Sequence, residues 1–189
     1  MNLAPFLCVW FFNRSEYVMG EESLERFSSE YWMSKALELA QQAALRNEVP
    51  VGAVIVFGNE IIGSGSNNPI SGSDPTAHAE IIALREAAHK IKNYRLVNAD
   101  IYVTLEPCAM CAGALVHGRI RHLYYGAKEA KSGAVCSHIK LLDQPSMNHQ
   151  VKVTGGVCEA QCSRQLSDFF ARRRAEKKAA KLAARKLKC

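Results

Sequence analysis

Two predicted β-strands joined by a tight turn limit the fold of this chain more than any other feature of the sequence. Residues 51–57 are rich in valine and isoleucine, Gly58-Asn59 supplies a turn, and residues 60–65 resume an extended pattern. Two extended segments joined by such a turn predict a β-hairpin. The hairpin commits the chain to a sheet that begins with an antiparallel pair.

Further strands alternate with helices after the hairpin. Strand patterns occupy residues 100–105, 123–126 and 151–154, and helical patterns lie between them. Parallel strands need connections as long as a helix, so the alternation predicts a mixed five-stranded sheet with helices on its faces. We therefore expect an α/β fold in three layers, an α/β/α sandwich.

Local signals predict where two of these helices begin. Asp74-Pro75 is typical of an N-cap followed by proline at the first helical position, and Pro107 is predicted to open a later helix. In the helix after Asp74-Pro75, apolar residues recur at helical spacing. They predict a buried face formed by Ile81, Leu84, Ala88 and Ile91.

The net charge of +6 is concentrated at the C-terminus. Residues 171–189 hold nine Lys or Arg residues against Glu176, a local balance of +8, so the other 170 residues sum to −2. A nearly neutral body with a basic tail suits a polyanion better than a small neutral metabolite. A solvated helix end that only keeps the protein soluble is the alternative that charge leaves open.

Apolar runs and cysteines bear on the compartment. The longest apolar run, residues 3–12, is shorter than the roughly 18 residues of a membrane span. No Lys or Arg precedes it and no small-residue cleavage motif follows it, which argues against a signal peptide. Seven cysteines, an odd number, favour reduced thiols or metal ligands over a disulfide framework. We therefore expect a cytoplasmic protein with no membrane partner.

Two short segments carry the chemistry. His78-Ala79-Glu80 and Pro107-Cys108-Ala109-Met110-Cys111 each stand at a predicted helix start. Cys108 and Cys111 are three residues apart, so they share one helix face and can present sulfur to one metal ion, with His78 as a third ligand. Three protein ligands leave the fourth tetrahedral position of zinc to water, the arrangement of a catalytic zinc site.

Glu80 completes the hypothesis as a group near the metal that does not bind it. Residues two apart point in opposite directions on an ideal helix, so His78 and Glu80 can face one cavity only at the very first turn. A water on zinc ionises near neutral pH, and a carboxylate beside it can take the proton and pass it to a ring nitrogen and a leaving amine. This chemistry is hydrolytic deamination.

Structural zinc and redox sites are the rival interpretations of the two segments. Cys-x-x-Cys alone is common to both. The combination with His-Ala-Glu speaks against them, because no fourth ligand is evident and Glu80 would have no role in either.

The His-x-Glu and Pro-Cys-x-x-Cys segments together resemble the zinc deaminase superfamily. Within it the chain is most similar to bacterial tRNA adenosine deaminases, and the likeness runs from about Glu30 to Arg174. The segments that carry it are Glu48-Val49-Pro50-Val51-Gly52-Ala53, Asn67-x-Pro69-Ile70, residues 74–80 and 102–111, Met147-Asn148-His149 and Ser167-Asp168-Phe169-Phe170.

The resemblance implies a cytidine-deaminase-like fold, one Zn²⁺ per subunit and a homodimer whose interface borders the active sites. It implies conversion of adenosine to inosine at the wobble position of a tRNA anticodon, with the anticodon stem-loop as partner. Residues 1–27 would then be a loosely ordered extension, 28–170 the zinc deaminase domain and 171–189 a basic helical tail.

Further site residues follow from the same resemblance. Asn67 is expected to hydrogen-bond the purine, the N–H of Ala79 to orient it, and Val51 and Leu105 to shape the pocket. Contacts with RNA are expected from Phe169, Phe170, Arg173 and Arg174. An asparagine in such a loop can also simply stabilise a turn, and adjacent phenylalanines are more often core residues.

Two other functions remain open from the sequence. A deaminase of free bases, nucleosides or nucleotides would need the same zinc and the same carboxylate. The basic tail, the Ser-Asp-Phe-Phe segment and the likeness to tRNA adenosine deaminases favour RNA over it. A zinc protein that only binds RNA is the other, although it would have no use for Glu80.

Overall fold

A computed structural model describes residues 28–186 of the chain. The expectation of a loosely ordered extension over residues 1–27 lies outside the described residues, as do the last three residues of the predicted tail. The elements are α1 (Ser29–Leu45), β1 (Gly52–Phe57), β2 (Glu60–Ser66), α2 (Ala79–Ile91), β3 (Asp100–Leu105), α3 (Ala109–His117), β4 (His122–Ala127), β5 (Lys152–Gly155) and α4 (Glu159–Lys186).

The strands form one mixed sheet in the order β2-β1-β3-β4-β5. β1 pairs antiparallel with β2 and with β3, whereas β3, β4 and β5 run parallel to one another. The predicted hairpin and the predicted five-stranded mixed sheet are both confirmed.

Each face of the sheet carries two helices and its own hydrophobic core. Residues of α2 and α3 pack with Ile55, Ile101 and Leu123 on one face. Residues of α1 and α4 pack with Val54 and Tyr102 on the other. Side chains along β1 and β3 point alternately to the two faces of the sheet and so contribute to both cores. The predicted α/β/α sandwich is confirmed.

Backbone contacts fix α2 closely on β2. A Cβ atom built on Gly65 would lie 2.1 Å from the carbonyl oxygen of Ala79, and one on Gly63 would lie 2.3 Å from that of Ala83. Both glycines therefore serve close approach, because no side chain fits between strand and helix.

This packing corrects the predicted face of α2. The helix buries Ala79, Glu80, Ala83, Leu84 and Ala87, whereas Ile91 is exposed and Ile81 and Ala88 are only partly buried. Alanines line the buried face because the helix approaches the strand too closely for larger residues. Of the larger apolar residues that guided the prediction, Leu84 is buried, whereas Ile81 and Ile91 lie at the margin.

The structure confirms that His78 and Cys108 stand at helix starts, but α2 begins later than the Asp74-Pro75 signal predicted and α3 begins just after Pro107. Asp74 accepts hydrogen bonds from the backbone N–H and the hydroxyl of Thr76, 2.8 Å and 2.7 Å, and so closes a local turn instead of capping a helix. His78 occupies the N-cap position of α2, and Cys108, one residue after Pro107, occupies that of α3.

Helix α4 is the longest element, with 28 residues. Its first half packs against the sheet, where a Cβ atom on Gly126 would lie 2.3 Å from the Cys162 sulfur. Residues 171–184 are all exposed. Within residues 28–186 no helix combines the length and the apolar character that crossing a membrane requires.

Candidate active site

One edge of the sheet gathers the segments that the sequence singled out. β3 and β4 are parallel, so their carboxyl ends lie together at this edge, where parallel sheets commonly bind ligands. β1 runs the other way, so Val51, just before it, lies at the same edge. Asn67, just after β2, joins it through a 3.0 Å hydrogen bond from its N–H to the Val51 carbonyl.

The first residues of α2 bring His78 and Glu80 to this edge. His78 has extended backbone angles, φ −75° and ψ 153°, and Glu80 is the second residue of the helix. Because His78 is not yet helical, its side chain escapes the opposite-face geometry that two helical residues at this spacing would have. The carboxyl group of Glu80 is 4% exposed and hydrogen-bonds Cys111.

The start of α3 supplies the two sulfur atoms. Cys108 is the N-cap residue with extended angles, and Cys111 is a buried residue of the first turn. The sulfur of Cys108 lies at the N-terminus of α3, although its side chain makes no capping hydrogen bond. This position at a helix N-terminus favours negative charge on that sulfur.

The geometry of His78, Cys108 and Cys111 fits a zinc ion. Their ligand atoms all lie within 4.8 Å of one another. Nδ1 of His78 is 3.6 Å from the sulfur of Cys108 and 3.5 Å from that of Cys111. Sulfur and nitrogen ligands of a tetrahedral zinc, at their usual bond lengths, stand about 3.6 Å apart. A donor set of two sulfurs and one imidazole also suits zinc.

Hydrogen bonds among His78, Cys108 and Cys111 shift the pKa values of all three side chains. Hydrogen bonds from Cys111 and from His78 lower the pKa of Cys108 to about 3, although burial opposes them. The hydrogen bond to Cys108 and burial raise the pKa of Cys111. The hydrogen bond with Cys108 raises the pKa of His78 against the effect of burial. Without a metal the group thus favours a thiolate at Cys108 and a thiol at Cys111, and binding of zinc by both sulfurs would release the remaining proton.

Burial raises the pKa of Glu80 above the usual range of a glutamic acid, against the opposing effects of its own backbone hydrogen bond and of His78. A carboxyl group with a raised pKa exchanges protons closer to neutral pH. Glu80 is therefore chemically suited to accept a proton and release it again.

A cavity of about 230 Å³ opens beside these groups. Glu80, His78 and Cys108 line it together with Val51, Asn67 and Leu105, so the structure brings the predicted chemical and pocket residues to one place. The remaining lining residues are Val49, Pro69, Glu106, Glu129 and Ser132.

Asn67 and Ala79 are partners of each other at the cavity wall. The N–H of Ala79 donates to Oδ1 of Asn67 at 2.9 Å, and Asn67 is 8% exposed. The Ala79 N–H therefore already donates a hydrogen bond within the protein. Its expected role in orienting the base stays a prediction. Nδ2 of Asn67 has no hydrogen-bond partner among residues 28–186 and remains available as a donor.

Two buried carboxylates that the sequence analysis missed hold the loops around the cavity. Glu48, 1% exposed, accepts hydrogen bonds from the N–H groups of Ile70 and Ser71, at 3.3 Å and 2.7 Å. It thereby fixes the loop that follows Asn67. Its position directly before the apolar residues Val49-Pro50-Val51 was the one sequence signal that could have pointed to it.

Glu106, at the end of β3, has the larger set of hydrogen-bond donors. Burial pushes the pKa of Glu106 upward, but hydrogen bonds from Cys136, Ser137 and Glu129 prevail and lower it to about 2. Its position directly before Pro107-Cys108 was visible in the sequence, but its donors were not.

The residues expected to contact RNA differ in exposure. Phe169 is 6% exposed and lies in a crevice with Ala44 and Leu45, so its ring presents little surface to RNA. Phe170 is 44% exposed. Arg173 and Arg174 are exposed as well, and Arg173 pairs with Glu176 at 2.8 Å.

Helix α4 approaches the cavity end of the molecule along α1. Gln165 of α4 donates a hydrogen bond to the carbonyl of Leu37 in α1 at 3.3 Å. Farther along both helices, Arg172 donates one to the carbonyl of Ala44 at 3.0 Å. The two helices thus run in the same direction. Since α1 leads directly into the residues that line the cavity, the basic half of α4 emerges at that end.

Comparisons with known proteins agree with this site. A model of the MafB19-like deaminase family matches residues 27–174. The chain is 55% identical over 150 residues to a protein of Haemophilus influenzae named tRNA-specific adenosine deaminase, covering 79% of this chain and 87% of the relative. It is 41% identical to a Bacillus subtilis protein of the same name, covering 80% and 94%.

Solved structures extend the likeness to the fold. One, from a study of A-to-I editing by tRNA:A34 deaminases at the wobble position of transfer RNA, has 43% identity and a TM-score of 0.70, covering 72% of this chain and 99% of that chain. A Bacillus subtilis guanine deaminase has 31% identity and a TM-score of 0.52, covering 66% and 83%. The chain therefore belongs to the MafB19-like deaminase family, together with relatives named tRNA-specific adenosine deaminase.

Proposed function

We propose that this protein hydrolyses the amino group of adenosine to give inosine at the wobble position of a tRNA anticodon. The observation that carries the proposal is the approach of three zinc-type ligands to a buried carboxyl group at the wall of one cavity. The names of the relatives and of the tRNA:A34 deaminase structure supply the substrate.

His78, Cys108 and Cys111 would hold one zinc ion per subunit. When bound, zinc supplies a water of lowered pKa as the nucleophile. The residues that hold it leave the cavity side of the site open, because the three ligands come from the first turns of α2 and α3.

Glu80 serves as the proton carrier. Its carboxylate accepts the proton of the attacking water, then donates it to the purine ring nitrogen as the new C–O bond forms at C6. It next carries the second proton of that water from the new C6 hydroxyl to the amino group, and the C6–N bond breaks to release ammonia. One water is consumed and one ammonia is released for each inosine formed.

Asn67 positions the base. Ala79 acts through it, because the Ala79 N–H fixes Oδ1 and leaves Nδ2 as the donor toward a purine acceptor. Val51 and Leu105 bound the cavity on its apolar side. A fixed amide discriminates better than a free one, since less conformational entropy is lost on binding.

The basic half of α4 binds the RNA beyond the cavity. Helical spacing aligns Phe170 with Arg174, Lys177, Lys178 and Lys181 on one face of the helix. An exposed ring among cations suits unpaired bases and phosphates together. Arg173 adds a further exposed cation, and we assign no RNA contact to the buried Phe169.

We further propose that the protein forms a homodimer through the outer surface of α2 and α3. An apolar depression lies there between Ile81, Leu84 and Leu96, and Tyr94 beside it is 65% exposed. A two-fold dimer would cover such a patch. Met110, between the two cysteine ligands, is exposed on α3, so the partner would approach the active site.

The test is a product assay with purified protein and several substrates. We expect inosine from an anticodon stem-loop with adenosine at the wobble position, and no product from the same RNA with guanosine there. Guanine and free adenosine are included because a guanine deaminase shares the fold. Deamination of free guanine or adenosine but not of the RNA would refute the proposal, and no product from any of them would favour a zinc protein that only binds RNA.

A further inference from the structure

Almost all the hydrogen bonds of Glu106 are ones that its carboxylate accepts from one irregular segment. Its Oε1 accepts from the N–H groups of Val135, Cys136 and Ser137, at 3.1 Å, 2.8 Å and 2.9 Å. Its Oε2 accepts from the N–H of Glu129 at 3.1 Å and from the hydroxyl of Ser137. Glu106 is 3% exposed.

The segment in question, residues 129–137, contains no helix and no regular strand. Its other anchors also lie beside the metal ligands. The N–H of Ala134 donates to the carbonyl of Pro107 at 2.8 Å, and Cys108 forms an isolated β-bridge with Gly133. A segment without regular structure depends on such contacts for a single conformation.

This segment also forms one wall of the active-site cavity. Glu129 and Ser132 line the cavity together with Val49 and Val51. Gly133 packs so closely on the carboxylate that a Cβ atom there would lie 2.5 Å from Cδ of Glu106. The carboxylate of Glu106 thus fills the space between the metal ligand Cys108 and the cavity wall formed by Glu129 and Ser132.

We infer that Glu106 is a positioning residue that holds the Glu129–Ser132 wall in register with the metal ligand Cys108, and thereby sets the affinity for the RNA substrate. The inference rests on the proposed function. It follows from the two roles of one short stretch of chain: Glu106 fixes the wall, and Cys108, two residues later, binds the metal.

Glu106→Gln tests the inference with almost no change of shape. The amide can keep the three N–H donors on Oε1, but its NH₂ group replaces Oε2 and cannot accept from the Glu129 N–H. We expect amide exchange at residues 129–132 to accelerate, KM for the stem-loop to rise about tenfold, and kcat to stay within about threefold. Zinc content should remain at one per chain.

Ser137→Ala is the milder variant, because it removes only the hydroxyl donor to Oε2. It should shift KM in the same direction by about twofold to threefold. Glu86→Gln is the matched control. Glu86 likewise accepts from a backbone N–H and a hydroxyl, both of Ser64, at 2.7 Å and 2.9 Å, but it is exposed and remote from the cavity. It should leave KM unchanged.

Three outcomes would overturn the inference. Unchanged amide exchange in Glu106→Gln would show that the carboxylate does not hold the wall. Faster exchange with unchanged KM would show that the wall does not serve substrate binding, and a loss of zinc would assign Glu106 to the metal site instead. If the wild-type protein makes no inosine, the proposed function itself fails and the inference fails with it.

Discussion

The cavity at the sheet edge and the exposed half of α4 contrast in every property that governs binding. The cavity is lined by buried groups such as Glu80 and Asn67, each fixed by hydrogen bonds within the protein. Residues 171–184 are exposed throughout and hold six Lys or Arg residues against Glu176, a local balance of +5 in a chain of net charge +6. The first region resembles a protein interior, and the second a solvated surface.

This contrast indicates that the chain separates catalysis from the electrostatic binding of RNA. Buried groups are little affected by salt, whereas exposed cations lose their attraction for phosphates as ionic strength rises. We therefore expect the salt dependence of KM to report on α4, and kcat together with the part of KM that does not depend on salt to report on the cavity. The following changes test whether the two regions are independent in this way.

Glu80→Ala should have the most severe consequence. Removing the proton carrier should lower kcat by at least about 100-fold, because general acid and base catalysis commonly contributes that much. Zinc content and RNA affinity should both persist, since no ligand and no residue of α4 has changed. Kinetics, metal analysis and an RNA-binding titration would check this. Retained inosine formation would remove Glu80 from the mechanism.

Gly65→Ala should act on the cavity through the helix that carries its residues. The new Cβ would meet the Ala79 carbonyl, so α2 must shift, at a cost of about 1–3 kcal/mol in the free energy of unfolding. Because His78 precedes that helix, zinc affinity should fall as well. Gly113→Ala is the control, since a Cβ there meets nothing within 4 Å. Equal stability of both variants would contradict the close packing described.

Truncation after Arg174 should weaken RNA binding and reduce its salt dependence, while sparing zinc and kcat. The slope of log K against log salt should become shallower by about 0.7 for each phosphate that the shortened helix no longer neutralises. Binding measured at several salt concentrations would check this. An unchanged slope would show that the tail only solubilises the protein.

Phe170→Ala should have the mildest consequence of the four changes. Removing the platform for one stacked base costs about 1–3 kcal/mol, so RNA affinity should fall about fivefold or more, with an unchanged salt slope. The salt slope separates this change from the truncation, because a ring carries no charge. An affinity equal to that of the wild type would leave α4 with electrostatic contacts alone.

The sequence predicted the sheet and the members of the metal group because both depend on short-range patterns. His78 with Glu80 and Cys108 with Cys111 stand at helix starts within three residues of each other. The hairpin turn at Gly58-Asn59 was equally local, and both residues have positive φ, 56° and 63°, as such a turn requires. Local chemistry of this kind can be recognised without the fold.

What the sequence did not predict depends on distant backbone groups or on close packing. Glu48 and Glu106 find their donors 22 to 31 residues away, and a backbone N–H leaves no mark on the residue type that carries it. The buried face of α2 was missed because large apolar residues outweighed the alanines. The spacing of Gly63 and Gly65 on one face of β2 was the feature that could have corrected it.

The hydrogen bond between Ala79 and Asn67 has a consequence for tolerance to thermal motion. Asn67, which we propose orients the base, is tied to the same helical turn that carries Glu80. A displacement of that turn therefore carries the base-orienting amide and the proton carrier along together, and their alignment survives fluctuations that would spoil a site assembled from independent parts.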